Sequence, residues 1–279
     1  MPTIQYLKKK LRGIKSTQKI AKAMKTSSTD KFGKLHNFLD EYSEYSKEYR
    51  DLYLKHAKDY NAYFAAQNPS APVCLIVITA NKGMCGSFNS QVLKFASEVL
   101  DNSNEDIFLI PCGKKAIDYF DRRNIPYEKA FIFNDVPKFS EACELFGYLT
   151  AALKAGRIST VKLAYPKYYN MMTQAPVLYD MFVSTETDGE GDNELDSMYF
   201  PDKEAVITAT ADKLMEAFIF DKILESSLGA QASTLMTMRT AYDTATEYRA
   251  RLEAEINKKR QSQVTADVIE TSAEHSQEN

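Results

Sequence analysis

From the N-terminus, apolar and aromatic residues recur at alternating steps of three and four. One line runs through Ile4, Leu11, Phe32, Leu39, Tyr53 and Tyr60, the other through Leu7, Ile14, Ala21, Leu35, Tyr42, Tyr49 and Tyr63, both on multiples of seven. A spacing held this long predicts a coiled-coil seam rather than a short globular helix. Between Pro2 and Pro69 there is no proline, and glycine falls only at Gly13 and Gly33. A helix of about 60 residues would reach roughly 90 Å, so it must project beyond a core or be sheathed by something else. A second such segment follows Pro201 and Asp202, a helix start, with Leu214, Phe218, Leu224, Leu228, Leu235, Met238, Tyr242, Ala245, Leu252 and Ile256 again stepping by three, four or small multiples. The simplest solution pairs the two terminal helices antiparallel and brings both chain ends to one tip.

Between them the period changes. "VCLIVIT", "IFLIPCG" and "VKLAYPK" are short apolar runs of the kind buried on both faces of a sheet. "SQVLKFASEVL", "KKAIDYFDRR" and "FSEACELFGYLTAALKAG" carry helical periodicity, the last stopped by Gly156. The fold class implied is α/β: a long antiparallel two-helix coiled coil from the N- and C-terminal segments, plus a small Rossmann-like α/β domain. The boundaries expected are 1–66 for the N-terminal helix, 72–182 for the α/β domain, 183–200 for an acidic loop, 201–272 for the C-terminal helix and 273–279 for a polar tail. The loop "STETDGEGDNELDS" lacks the glycine and final glutamate spacing of a calcium loop, so no metal is expected there.

Composition changes this picture little. A chain of 279 residues with 44% hydrophobic and 26% charged content and a net charge of −3 can bury a real core and has no global bias towards nucleic acid or membrane. Cys74, Cys85, Cys112 and Cys143 form no C-x-x-C pair, which fits buried thiols in a reducing compartment. The longest apolar runs fall short of a membrane span and no export signal precedes the first helix, so the chain is expected to be neither exported nor membrane-spanning.

The best enzyme candidate is the glycine-rich turn "TANKGMCGSFN", residues 79–89, between a strand and a helix. Such a turn can aim backbone N–H groups at an anion. Yet Lys82 precedes Gly83 and Gly86 instead of following them, and neither G-x-x-x-x-G-K-[ST] nor G-x-G-x-x-G is present. The competing account is a tight scaffold turn, with glycines at positive φ and Ser87 capping the helix. Cys85 as a nucleophile would need a base, and His36, His56 and His275 all lie outside the α/β region. No cofactor is expected.

Charge concentrates locally at Lys8, Lys9, Lys10, Arg12, Lys15, Lys19, Lys22, Lys25, Lys31 and Lys34, against Asp30 alone in that span. The run suits an acidic protein partner, a solvated helix face or a nucleic acid, although the aromatics sit on the seam and not among the lysines. Polar residues at or near seam positions, Gln18, Lys25 and Ser28 on one helix and Lys259, Arg260, Gln261 and Gln263 on the other, fit a shaft enclosed by other subunits, because buried polar groups need partners.

Four stretches, "LKKKLRGIKSTQKIAKAMK", "TANKGMCGSFNS", "YPKYYNMMTQAPV" and "NKKRQSQVTADVIE", together resemble the gamma-chain family of rotary F-type ATP synthases, in its order and at its spacing. The resemblance covers essentially the whole chain. It implies a non-catalytic central shaft whose paired helices stand inside a ring of alpha and beta chains, the beta chains carrying the nucleotide sites. The α/β domain would lie outside that ring, against the epsilon chain and the membrane c ring. Ion flow through the c ring would turn the shaft and drive the beta sites through different affinities. The implied location is peripheral, on the cytoplasmic face of the bacterial inner membrane or, as the second choice, on the mitochondrial matrix face, with no nucleic acid bound. Carried over by position, the family's contacts to the alpha/beta ring fall on Lys19, Lys22, Met24 and Lys25 and on Arg260, Gln261 and Thr265. The sequence departs from the family pattern at Thr26–Lys31, at "GAQASTL" (Gly229–Leu235) and at its polar C-terminal end. Two other function classes remain beside the shaft: a small α/β nucleotide-binding enzyme using the turn at Gly83, and a coiled-coil adaptor for an acidic partner.

Overall fold

The computed structural model describes residues 3–65, 68–181, 199–200 and 202–277. Its contacts divide the chain into two compact units, residues 1–28 with 234–279 and residues 29–233. The elements in chain order are α1 (Ile4–Lys55), α2 (Ala57–Tyr63), β1 (Val73–Ile78), α3 (Phe88–Asn102), β2 (Ile107–Cys112), α4 (Lys114–Arg122), α5 (Phe139–Lys154), β3 (Val161–Tyr168), β4 (Gln174–Asp180) and α6 (Lys203–Gln277).

In the larger unit, the sheet has the order β2-β1-β3-β4. The three apolar runs form its parallel part, with β1 paired to β2 and β3, and every residue of β1 is buried. Strands covered on both faces have no polar side to show, which is why they read as unbroken apolar runs. One face packs Cys74, Ile76, Ile110 and Leu163 against Leu145 and Leu149 of α5 and against Phe218, Ile219, Ile223 and Leu224 of α6. The other packs Leu75, Val77, Leu109 and Ala164 against Val92, Leu93 and Ala96 of α3 and Phe120 of α4. Strand β4 is an addition to the expected set; it runs antiparallel to β3 through a tight turn. In that turn the Asn170 Oδ1 accepts the backbone N–H groups of Met172 and Thr173, each at 2.9 Å.

The N-terminal helix expected to run unbroken through residue 66 is two elements. The chain leaves helical geometry at His56 (φ −128°, ψ 29°) and resumes as α2. The His56 ring is buried, with its Nε2 at 2.9 Å from the Tyr199 hydroxyl. Alongside, the Tyr42 hydroxyl donates to the Ala217 carbonyl at 3.2 Å and the Tyr60 hydroxyl is hydrogen-bonded to Thr210 Oγ1 at 2.8 Å. The α6 partner number falls as the α1–α2 number rises, so the helices run antiparallel. The stretch expected as a tail from residue 273 is helical as far as Gln277. The acidic loop falls, except for Tyr199 and Phe200, outside the described residues.

In the smaller unit, α1 up to residue 28 lies against the first stretch of α6 beyond residue 234, with Gln18 on Thr246, Lys10 on Tyr248 and Lys15 on Glu253. The buried positions Leu7 and Ala21 on one helix, and Met238, Ala245 and Leu252 on the other, keep multiples of the seven-residue spacing. Each fully covered leucine contributes about 1.5–3 kcal/mol relative to exposure.

Candidate functional site

The glycine-rich turn is the first place to look for chemistry, and its polar side chains are engaged within the chain. The Asn89 side chain closes it from within: Oδ1 accepts the Ala80 N–H at 2.9 Å, and Nδ2 donates to the Lys82 carbonyl at 3.2 Å and to the Cys85 sulfur at 3.0 Å. Asn81 ties the turn to its surroundings, its Nδ2 donating to the Phe133 carbonyl and its Oδ1 accepting the Lys114 N–H at 3.1 Å. The positive φ angles fall on Met84 (64°) and Gly86 (57°), and Gly83 is not among the left-handed residues. Ser87 occupies the helix N-cap position, but its side chain makes no capping bond. The expected roles of Gly83 and Ser87 are therefore taken by Met84 and Asn89. Cys85 is 2% exposed, and burial pushes its thiol above the ordinary value, which opposes the thiolate that a nucleophile needs.

From the other side α6 meets this turn closely. The Ser233 hydroxyl donates to the Cys85 carbonyl at 2.7 Å, and Ala230 shares a small core with Cys85 and Phe88. A methyl group at Gly229 would stand 3.1 Å from Phe88 Cε2 and 3.3 Å from Gln174 Cγ. The small residues Gly229, Ala230 and Ser233 are what this approach requires. Beside the turn, Asp135 accepts from Lys31 Nζ at 2.5 Å and Lys82 Nζ at 2.7 Å. Burial raises the Asp135 carboxyl, but the hydrogen bonds and charges of the two lysines outweigh it and hold the group below its ordinary value. Lys82, the would-be phosphate ligand, is thus a clasp on Asp135.

The lysine run is also partly spoken for. Lys34 pairs with Asp30 at 2.9 Å, Lys15 with Glu253 at 3.2 Å, and Lys10 donates to the Tyr248 hydroxyl at 2.8 Å. Gln18, expected to need a partner outside the chain, finds one within the helical pair: its Nε2 donates to Thr246 Oγ1 at 2.7 Å and its Oε1 accepts from Arg249 at 3.4 Å. Arg249 Nε donates to Glu253 at 3.1 Å, completing a polar layer across the seam.

Of the contact residues named from the resemblance, Lys19 and Lys22 are exposed and Met24 and Lys25 half-buried on α1. Arg260, Gln261 and Thr265 are exposed on α6, where the Thr265 hydroxyl bonds back to the Gln261 carbonyl at 2.9 Å. The structure does not gather the two groups. With Gln18 against Arg249, Arg260 lies roughly 16 Å further along α6 at 1.5 Å per residue. From Gln261 to Ile269 every side chain is exposed, including Val264 (55%), Val268 (59%) and Ile269 (62%).

A family model described as ATP synthase matches residues 3–273. Relatives called ATP synthase gamma chain include those of Pelotomaculum thermopropionicum, 29% identical with 97% of each chain covered, and Desulforamulus reducens, 27% identical with the same coverage. The chain belongs to the ATP synthase gamma-chain family. The fold of this gamma-family chain also resembles a chain of the rotor in the Euglena gracilis mitochondrial ATP synthase (TM-score 0.66, 17% identity, 94% of this chain and 98% of that one). A second match is in the central stalk and c ring structure of the Tetrahymena thermophila mitochondrial enzyme (TM-score 0.59, 18% identity, 80% and 99%). At these identities the structural likeness speaks for the gamma fold alone.

Proposed function

We propose that this chain is the central rotor subunit of an F-type ATP synthase. Its helical pair turns within the alpha/beta ring, its sheet-bearing unit meets the epsilon chain and the c ring, and ion-driven rotation is thereby coupled to ATP synthesis or hydrolysis on the beta chains. The chain itself is non-catalytic, and it sits at the membrane only through the complex, on the cytoplasmic face. The observation that carries this reading, beside family membership, is the uncovered end of α6. Val264, Val268 and Ile269 are more than half exposed, which suits a spindle completed by a surrounding sleeve. Lys19, Lys22, Met24 and Lys25 with Arg260, Gln261 and Thr265 are its contacts to that sleeve; Arg and Gln supply several donors for carbonyls and carboxylates. That these two groups stand at different heights on the helices fits two separate bearing contacts rather than one site.

The test is purification of the tagged chain from its own cells. Alpha, beta, epsilon and c chains are expected to come with it, and the isolated chain is expected to lack ATPase activity and saturable ATP binding. Recovery without alpha and beta chains, or micromolar ATP affinity of the chain alone, would overturn the reading.

A further inference from the structure

One aromatic residue of α1 has no place in the seam. Tyr45 lies on neither line of apolar positions and is 44% exposed, yet its ring is not isolated. It stands 4.6 Å from the Tyr49 ring, centre to centre, with the planes at 49°, and its hydroxyl donates to the Tyr49 hydroxyl at 2.9 Å. Residues four apart meet on one face of a helix, and tilted aromatic rings at such a separation attract each other. Because ring centres and oxygens are both close, the two phenols lie side by side. The ring edges that carry the carbons ortho to the hydroxyls are thereby brought together.

The neighbouring tyrosines are arranged differently. Tyr42 is 5.5 Å from Tyr45, and its hydroxyl is turned to the Ala217 carbonyl. Tyr53 and Tyr60 stack at 6.0 Å but are buried, 7% and 0% exposed, with their hydroxyls on Asn61 Oδ1 and Thr210 Oγ1, each at 2.8 Å. Tyr45 alone of these four combines a solvent-facing ring with a second phenol at its hydroxyl. The thiols that would compete for an oxidant are largely withdrawn, since Cys74, Cys85 and Cys112 are at most 2% exposed. The bond to Tyr49, and after it burial, push the Tyr45 phenol up to about 12. It is therefore neutral at physiological pH, and its proton must leave with the electron when it is oxidised.

We infer that Tyr45 and Tyr49 form a modification site, at which a one-electron oxidant of the haem-peroxidase class joins the two rings in a dityrosine cross-link. Each phenol loses one electron and its hydroxyl proton. The two phenoxyl radicals then form a carbon–carbon bond between their ortho carbons, and the hydrogen on each of those carbons moves to the phenolic oxygen, restoring both rings. The two electrons and two protons released reduce one hydrogen peroxide to two waters. The product ties adjacent turns of α1 together covalently. The site is independent of the rotor reading and of the ring contacts proposed above.

The experiment exposes the purified full chain to a haem peroxidase and limiting hydrogen peroxide, isolates the monomer, then denatures it and digests it with trypsin. Cleavage after Lys34, Lys47 and Arg50 ordinarily separates residues 35–47, with Tyr45, from residues 48–50, with Tyr49. In the oxidised monomer the two fragments should stay joined, lighter than their sum by two hydrogen atoms, and should carry dityrosine fluorescence. Tyr45→Phe and Tyr49→Phe should each abolish the joined fragment, while Tyr42→Phe should leave it, with the circular dichroism of all three variants matching the parent. Absence of the joined fragment, its survival in Tyr45→Phe, its loss in a folded Tyr42→Phe, or coupling confined to covalent dimers would each overturn the proposal.

Discussion

Gly229 shows how one missing side chain sets the distance between two elements. With the Phe88 ring and Gln174 already within 3.3 Å of where a Cβ would stand, a branched side chain has no room without moving α6 or α3. Gly229→Val is expected to destabilise the larger unit by about 1–3 kcal/mol, read as a lower urea midpoint with unchanged slope. A midpoint equal to the parent's would show that the contact relaxes freely. Asp135 offers a second test, because its partners and its titration are linked. Since its carboxyl is held below the ordinary value in the folded chain, its contribution is complete above the unfolded value near 4 and is lost as pH falls through the lower folded value. Asp135→Asn should therefore cost about 1 kcal/mol at pH 7, and the gap should narrow as the pH falls below the unfolded value. Denaturation of both proteins at several pH values decides it, and a gap of constant size would remove Lys31 and Lys82 from the explanation.

At the scale of elements, the seam of the helical pair separates residues that hold the chain from residues that face outward. Leu252, 5% exposed on α6, belongs to the first group. Leu252→Ala should cost about 2–4 kcal/mol and raise amide exchange over residues 238–256 in particular. Much of this was legible in the amino-acid pattern, since the seven-residue steps and the three unbroken apolar strands each have a single structural meaning. Strand β4 was not, because "QAPVLYD" is half-buried at a sheet edge and neither alternates cleanly nor runs apolar throughout. Its Pro176 sits opposite Pro166 of β3, a pairing in which neither residue has an N–H to give. The interruption at His56 was equally hidden: "YLKHAKDY" contains no glycine or proline, and His56 is held by Tyr199, far off in sequence. In the turn, the pattern pointed to the glycines, while the side chain that closes it, Asn89, has no motif of its own.

For the whole molecule, the seven residues proposed as ring contacts illustrate a limit that is physical. On that proposal their energetics belong to groups on other chains, so the exposure of Arg260, Gln261 and Thr265 is all that one chain can display. Arg260→Ala with Gln261→Ala is accordingly expected to leave the melting temperature of the isolated chain within about 2 °C of the parent, since exposed changes rarely exceed ~0.5 kcal/mol. In the assembled enzyme the same pair should lower ATP synthesis or the yield of complex. A double variant that unfolds on its own would contradict the assignment of these residues outward.

The spacing in multiples of seven, of Leu7 and Ala21 against Met238, Ala245 and Leu252, also carries a handedness. A helix of 3.6 residues per turn can keep a 3.5-residue seam facing its neighbour only by winding left-handed around it. Torque about the long axis of the pair is therefore not symmetric. Applied in one sense it tightens the winding and presses the seam together, and in the other it pries the strands of the rope apart, so the pair is mechanically chiral.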